Sequence, residues 1–196
     1  MNMSHTANRH FEIFISLIFS FCLIFVATNS QAMDKPRLRV ITSIGSFTIE
    51  LYHNEAPKSV ANILQHVDAG FYNGVIFHRI VKNFIVQTGA YDQEMTLLQP
   101  LNSNVEFEAN NGLKNLRGTV AVALTTDTQS ALSQFFINIK SNPHLDYSAK
   151  TKTDWVYTVI GKVISGMNIV RRMSRVITND ENLPLTPIVI KRISRI

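Results

Sequence analysis

Cysteine occurs once in this 196-residue chain, as Cys22. With residues 1–32 set aside for reasons given below, no thiol remains to form a disulfide, a thiolate nucleophile or a sulfur-based zinc site. Glycine is sparse: the eight glycines are unclustered, so no phosphate-cradling loop is formed and no Gly-x-Ser-x-Gly elbow is present. The histidines beyond residue 32 are His53, His66, His78 and His144, and their spacing matches no metal site. There are no repeats or low-complexity segments. Basic residues are scattered, apart from Arg171, Arg172, Arg175 and Lys191, Arg192, Arg195. With a net charge of +5 and no interleaved aromatics, these read as solvated faces and not as a nucleic-acid footprint. Glu106 and Glu108 lie two apart and read as a solvated polar face, not as an acid/base pair. The chain is expected to need neither metal nor cofactor.

The long apolar run is confined to the N-terminus. Arg9 and the terminal amine form a positive region, partly offset by Glu12, and Phe14–Ala27 follows as a nearly unbroken apolar stretch. That stretch is short of the ~20 residues a membrane span requires. Ser30-Gln31-Ala32 supplies small residues at the two positions a signal peptidase reads. Residues 1–32 therefore read as a secretory signal peptide cleaved after Ala32, leaving one domain over 33–196. The alternative is an uncleaved inner-membrane anchor, because counting from Phe11 lengthens the run. Cys22 follows the bulky Phe21, which argues against lipid attachment. Export without cysteine suits a bacterial periplasm, with no stable membrane association after cleavage.

Hydrophobic periodicity fills in the rest. Leu38–Thr42 and Phe47–Leu51 alternate around a short turn at Ser43–Gly45 and predict a β-hairpin. A helix follows from Pro57, with Val60, Ile63, Leu64 and Val67 on one face and Gly70 as its stop. Strands are predicted over Val75–Ile80, Phe84–Thr88, Thr119–Leu124, Gln134–Lys140, Tyr157–Ile164 and Pro187–Ile193. A turn is placed at Asn110-Asn111-Gly112, and a second helix over Met167–Met173. Eight strands with no βαβ rhythm predict an all-β fold with minor helices. A closed or nearly closed antiparallel barrel with two helices plugging its ends would remove the exposed edges, and the closed eight-stranded form capped by two helices is the one expected from the resemblance given below.

Arg79 stands among Phe77, Ile80, Phe84 and Ile85. Locally it is either a surface arginine or the rim of an apolar groove. The second arrangement suits rotation about an X–Pro bond, a reaction that needs no nucleophile, base, metal or cofactor.

Several segments, in this order and spacing, carry a resemblance to a known family. They are Ala56-Pro57-Lys58-Ser59-Val60-Ala61-Asn62, Phe71-Tyr72-Asn73-Gly74-Val75-Ile76-Phe77-His78-Arg79, Arg117-Gly118-Thr119-Val120-Ala121, Ser133-Gln134-Phe135-Phe136-Ile137-Asn138 and Gly161-Lys162-Val163. Over Leu38–Ile193 the chain resembles the cyclophilin-type peptidyl-prolyl cis/trans isomerases, and within them the periplasmic bacterial branch. The resemblance implies a site on the outer barrel surface. Arg79 would be catalytic, with a proline pocket of Phe84, Ile85, Phe136 and Leu145. Gln87 would bind substrate backbone, Ala123, Leu124 and Gln134 would line the groove, and Tyr157 would stand where many eukaryotic members have histidine. Phe135, beside Phe136, should face the core by alternation.

Departures are also visible. Leu124 replaces the Asn or Arg common in that groove, Gly89-Ala90 replaces a double glycine, and Ile160 replaces a common Phe. His144 replaces the Trp of strongly cyclosporin-sensitive members, so weak cyclosporin binding is expected. The implied partners are proline-containing exported polypeptides, and the default state is a monomer. Two alternatives stay open: a proline-segment-binding chaperone or scaffold module without significant turnover, and a hollow small-ligand barrel.

Overall fold

The structure, a computed structural model, describes residues 35–102, 105, 106, 108–125, 132–148 and 155–196. The signal-peptide and cleavage expectations fall outside the described residues.

Eight strands form one antiparallel sheet. They are β1 (Arg37–Thr42), β2 (Gly45–Leu51), β3 (Arg79–Val81), β4 (Ile85–Thr88), β5 (Thr119–Thr125), β6 (Phe135–Asn138), β7 (Trp155–Ser165) and β8 (Ile190–Arg195). The spatial order is β3-β4-β6-β5-β7-β2-β1-β8. The expected closed barrel is not formed. β3 and β8 are free edges 13 Å apart, so the sheet is an open, curled half-barrel with two helices. Hydrogen bonding explains the opening. β3 is only three residues long, and the chain before it bonds to the start of β8 at Ile190 and to the residues just ahead of it, on the side that closure would need. Gly74 N–H donates to Ile190 O, Phe77 N–H to Ile188 O, and Ile190 N–H to Val75 O. The strand expected over Val75–Ile80 is accordingly reduced to an isolated bridge, Ile76 to Val189, followed by β3.

Alternation fills the concave side. β2 turns Phe47, Ile49 and Leu51 inward, each 2% exposed or less, and each stabilises the fold by about 1.5–3 kcal/mol through burial. Ile80, Val86, Ile137, Phe135 and Ile160 complete this core, which overturns the hollow small-ligand reading.

Helix α1 (Pro57–Asp68) presses Val60, Ile63, Leu64 and Val67 into the core, and α2 (Met167–Met173) adds Val170 and Met173. Pro57 sits in the first turn of α1, and Ala56 provides no side-chain cap. The cap comes from far along the chain: the Glu108 carboxylate accepts from Lys58 N–H at 3.0 Å and Ser59 N–H at 2.8 Å. Glu106 pairs with Lys58. Glu108 is therefore a helix-capping residue and not part of a freely solvated face. At the other end Phe71 N–H donates to His66 O and Gly70 N–H to Val67 O, a Schellman closure made with Gly70 at φ +70°.

Candidate active site

Cross-strand register builds the site. Arg79 lies opposite Gln87, Gln87 opposite Phe136, Phe136 opposite Ala121, and Ala121 opposite Val159. Residues directly opposite share a face. Because Ile80, Val86 and Ile137 point into the core, this row faces outward. A second, smaller apolar cluster forms there from Ile85, Ala121, Phe136 and Val159, joined by Phe84, Leu145 and Tyr157. Phe135 belongs to the inner core, edge-on to Tyr72 at 5.6 Å.

Three features of the chain position the walls. Between β3 and β4, Phe84 N–H closes a turn on Val81 O, with Asn83 at φ 56°, a left-handed conformation asparagine tolerates. A short 3₁₀ turn, Pro143–Leu145, delivers Leu145 from the opposite side and stacks His144 on Phe84 at 5.4 Å and 21°. Gly89, at φ +102°, passes so close to Ser133 and Gln134 that a Cβ would meet Ser133 O at 2.3 Å. That approach brings Gln134 against β4.

The result is a cavity of about 360 Å³ lined by Arg79, Phe84, Ile85, Gln87, Phe136, Leu145 and Tyr157. Phe136 is 2% exposed and meets Tyr157 edge-on at 5.4 Å. Arg79 Nη1 donates to Gln87 Oε1 at 3.3 Å, and Gln87 Nε2 donates to Gln134 Oε1 at 2.9 Å. Among the described residues no carboxylate forms a salt bridge with Arg79. Burial raises the Tyr157 phenol above its ordinary value, and the Arg79 charge opposes that rise. Burial, then the neighbouring Arg79 charge, pushes His78 down to about 4, against hydrogen bonds with Gln134 and Ile76. His78 is thus a neutral imidazole beside a cation at pH 7.

Of the residues expected at this site, seven line the cavity and Gln134 bonds to one of them. Ala123 and Leu124 stand in β5 opposite Tyr157 and Val156, and their side chains lie outside the described residues. No group of three His, Cys, Asp or Glu side chains among the described residues clusters as a metal ion would require. Sequence reading missed the 3₁₀ turn that carries Leu145, for which Asn142-Pro143 is the available signal.

Residues 37–195 match the family model described as cyclophilin type peptidyl-prolyl cis-trans isomerase/CLD. The chain therefore belongs to the cyclophilin-type peptidyl-prolyl cis-trans isomerase family. It is similar to peptidyl-prolyl cis-trans isomerase A of Dickeya dadantii, 41% identical over 85% of each chain. It is 35% identical to peptidyl-prolyl cis-trans isomerase B of Escherichia coli, over 78% of this chain and 95% of that one. Among solved structures it resembles a Cryptosporidium parvum cyclophilin-type isomerase crystallised in the presence of the dipeptide Ala-Pro. That match has a TM-score of 0.65 and 27% identity, covering 80% of this chain and 96% of the other.

Proposed function

We propose that this outer groove accelerates X–Pro bond rotation in exported polypeptides, with Arg79 making the contact that distinguishes the twisted amide from the planar one. The activity is peptidyl-prolyl cis/trans isomerisation of proline-containing substrates. The observation that carries the mechanism is a guanidinium with no salt bridge among the described residues, lining the same cavity as Phe84, Ile85, Phe136 and Leu145.

Amide resonance sets a rotation barrier of roughly 18–20 kcal/mol. At the half-rotated state the prolyl nitrogen becomes pyramidal and regains its lone pair. A guanidinium N–H donated to that nitrogen stabilises the twisted state more than either planar state, and only such differential binding accelerates a step. Raising a rate from about 10⁻² to about 10³ s⁻¹ takes roughly 7 kcal/mol. One charged hydrogen bond contributes about 1.5–3 kcal/mol. The remainder must come from positioning and a water-poor surround. Phe84, Ile85, Phe136 and Leu145 hold the pyrrolidine ring while the preceding carbonyl swings, and Gln87, steadied by Gln134, holds the substrate backbone. Tyr157 closes the far wall, and Ala123 and Leu124 extend the groove along β5.

The protein is further proposed to work as a monomer in the periplasm after cleavage following Ala32. The charged, apolar, then small-residue order of residues 1–32 supports this. His144 stacked on Phe84, in place of an indole, supports weak cyclosporin binding. NMR exchange on an Ala-Pro peptide tests the activity: catalytic amounts of protein should speed cis/trans exchange. No acceleration would leave only a proline-binding chaperone or scaffold module. Sequencing the mature N-terminus tests export, with Met33 expected first.

A further inference from the structure

Behind the pocket, on the side away from solvent, lie three buried asparagines that the mechanism above does not use. Asn138 and Asn142 are 0% exposed and Asn115 is 1% exposed. Their hydrogen bonds form one connected set that ends on the backbone of two pocket residues. Asn142 Nδ2 donates to Phe84 O at 3.3 Å and to Asn138 Oδ1 at 2.8 Å. Asn138 Nδ2 donates to Asn115 Oδ1 at 3.1 Å and to Thr119 Oγ1 at 2.9 Å. Asn115 Nδ2 donates to Leu145 O at 3.0 Å, and Asp146 Oδ1 accepts from Asn115 N–H at 2.6 Å.

The direction of every amide follows from fixed points. Leu116 O can only accept, so Thr119 Oγ1, 2.8 Å away, donates to it and must accept from Asn138 Nδ2. That leaves Asn138 Oδ1 as acceptor for Asn142 Nδ2. Phe84 O and Leu145 O, both acceptors only, fix the two outer amides in the same sense. The set therefore has one self-consistent arrangement, and a single substitution strands buried partners.

The backbone adds to this tie. Asn142 N–H donates to Asn115 O, Leu145 N–H to Asn142 O, and Ile139 N–H to Phe84 O. Phe84 and Leu145 come from segments about sixty residues apart and form facing walls of the same cavity. Apart from the stacking of His144 on Phe84, the asparagine set is the polar link between them.

We propose that Asn142 and Asn138 are positioning residues for the proline pocket, fixing Phe84 relative to Leu145 so that the cleft grips the pyrrolidine ring. This rests on the isomerase reading above. It predicts a binding defect more than a chemical one, because the hydrogen bonds of the set end on Phe84 and Leu145 and not on Arg79 or Gln87.

The test uses the full-length protein carrying Asn142→Ala, with Asn142→Ser as the milder variant, at a temperature well below both melting points. Kd for an Ala-Pro peptide comes from NMR titration, and the exchange rate is read at saturation. The expected result is a Kd raised about tenfold, the equivalent of one lost hydrogen bond, with a much smaller change in saturated exchange. Ile49→Ala, in the inner core, is the control for general destabilisation, and it should lower stability without moving Kd. The proposal is overturned if folded Asn142 variants keep wild-type Kd, if the loss lies entirely in the saturated rate, or if Ile49→Ala shifts Kd as much. Failure of both Asn142 variants to fold would also overturn it, making the set purely structural. Wild-type protein run in parallel separates the two readings, since absent wild-type exchange would sink the isomerase assignment and not this one.

Discussion

Acidification should destabilise this fold through two histidines whose protonation the fold opposes. His66 is 0% exposed; its Nδ1 lies 2.8 Å from Asn62 O and its Nε2 accepts Leu101 N–H at 3.0 Å. The first neighbour only accepts and the second only donates, so the ring is locked as the neutral Nδ1–H form. Burial lowers its pKa, opposed by the bond to Asn62. His78 lies edge-on to Tyr91 at 5.2 Å. Burial and Arg79 bring it to about 4, from 6.5 in the open chain. The unfolded state therefore binds more protons than the folded state across this window. Stability is complete above about pH 6.5 and is lost as pH falls, until His78 itself charges near pH 4. At about 1.4 kcal/mol per pH unit, His78 alone contributes a loss of roughly 3 kcal/mol. Urea denaturation from about pH 7 down to about pH 4 measures it, with His78→Gln beside wild type. Every other group is common to both proteins, so the difference between the two curves isolates His78. The variant should lose roughly 3 kcal/mol less over the window. Parallel curves would refute the reasoning, because His78 would then titrate in the fold as it does in the open chain.

Two further outcomes follow from the geometry. Glu108→Ala removes the only side-chain cap described at the start of α1 and should cost about 1–2 kcal/mol, seen as a melting temperature several degrees lower; Glu108→Gln should recover part of it. His144→Trp places an indole over Phe84 and should tighten cyclosporin binding in a fluorescence titration, whereas unchanged affinity would remove the basis for the proposed weak binding.

Much of this molecule was legible in its sequence because alternation and helical spacing are local signals. Phe47, Ile49 and Leu51 marked the inner face of β2, and Val60, Ile63 and Val67 marked α1, whose predicted start at Pro57 and stop at Gly70 match its observed ends. The candidate site residues were legible through the order and spacing of the segments shared with the family, and the register of β3, β4, β6 and β5 puts Arg79, Gln87, Phe136 and Ala121 on one face. What stayed hidden depends on long-range partners. Barrel closure is a question about β3 and β8, and nothing in either segment announces that Gly74–Phe77 takes up part of the free side of β8. Glu108 reads as a surface carboxylate until the fold brings Lys58 and Ser59 to it. Asn115 and Asn142 look like loop residues and Asn138 like one more strand position, and only the register of β5 with β6 and the 3₁₀ turn reveals that the three are buried together.

The central claim is that one guanidinium stabilises a half-rotated prolyl amide, and its most direct test is the exchange rate of an Ala-Pro peptide with Arg79→Ala. The variant should keep the wild-type melting temperature and NMR fingerprint, since Arg79 makes no salt bridge among the described residues. It should lose about ten- to a hundredfold in kcat/KM, the worth of one charged hydrogen bond. A folded Arg79→Ala protein that matched wild type would contradict the mechanism outright.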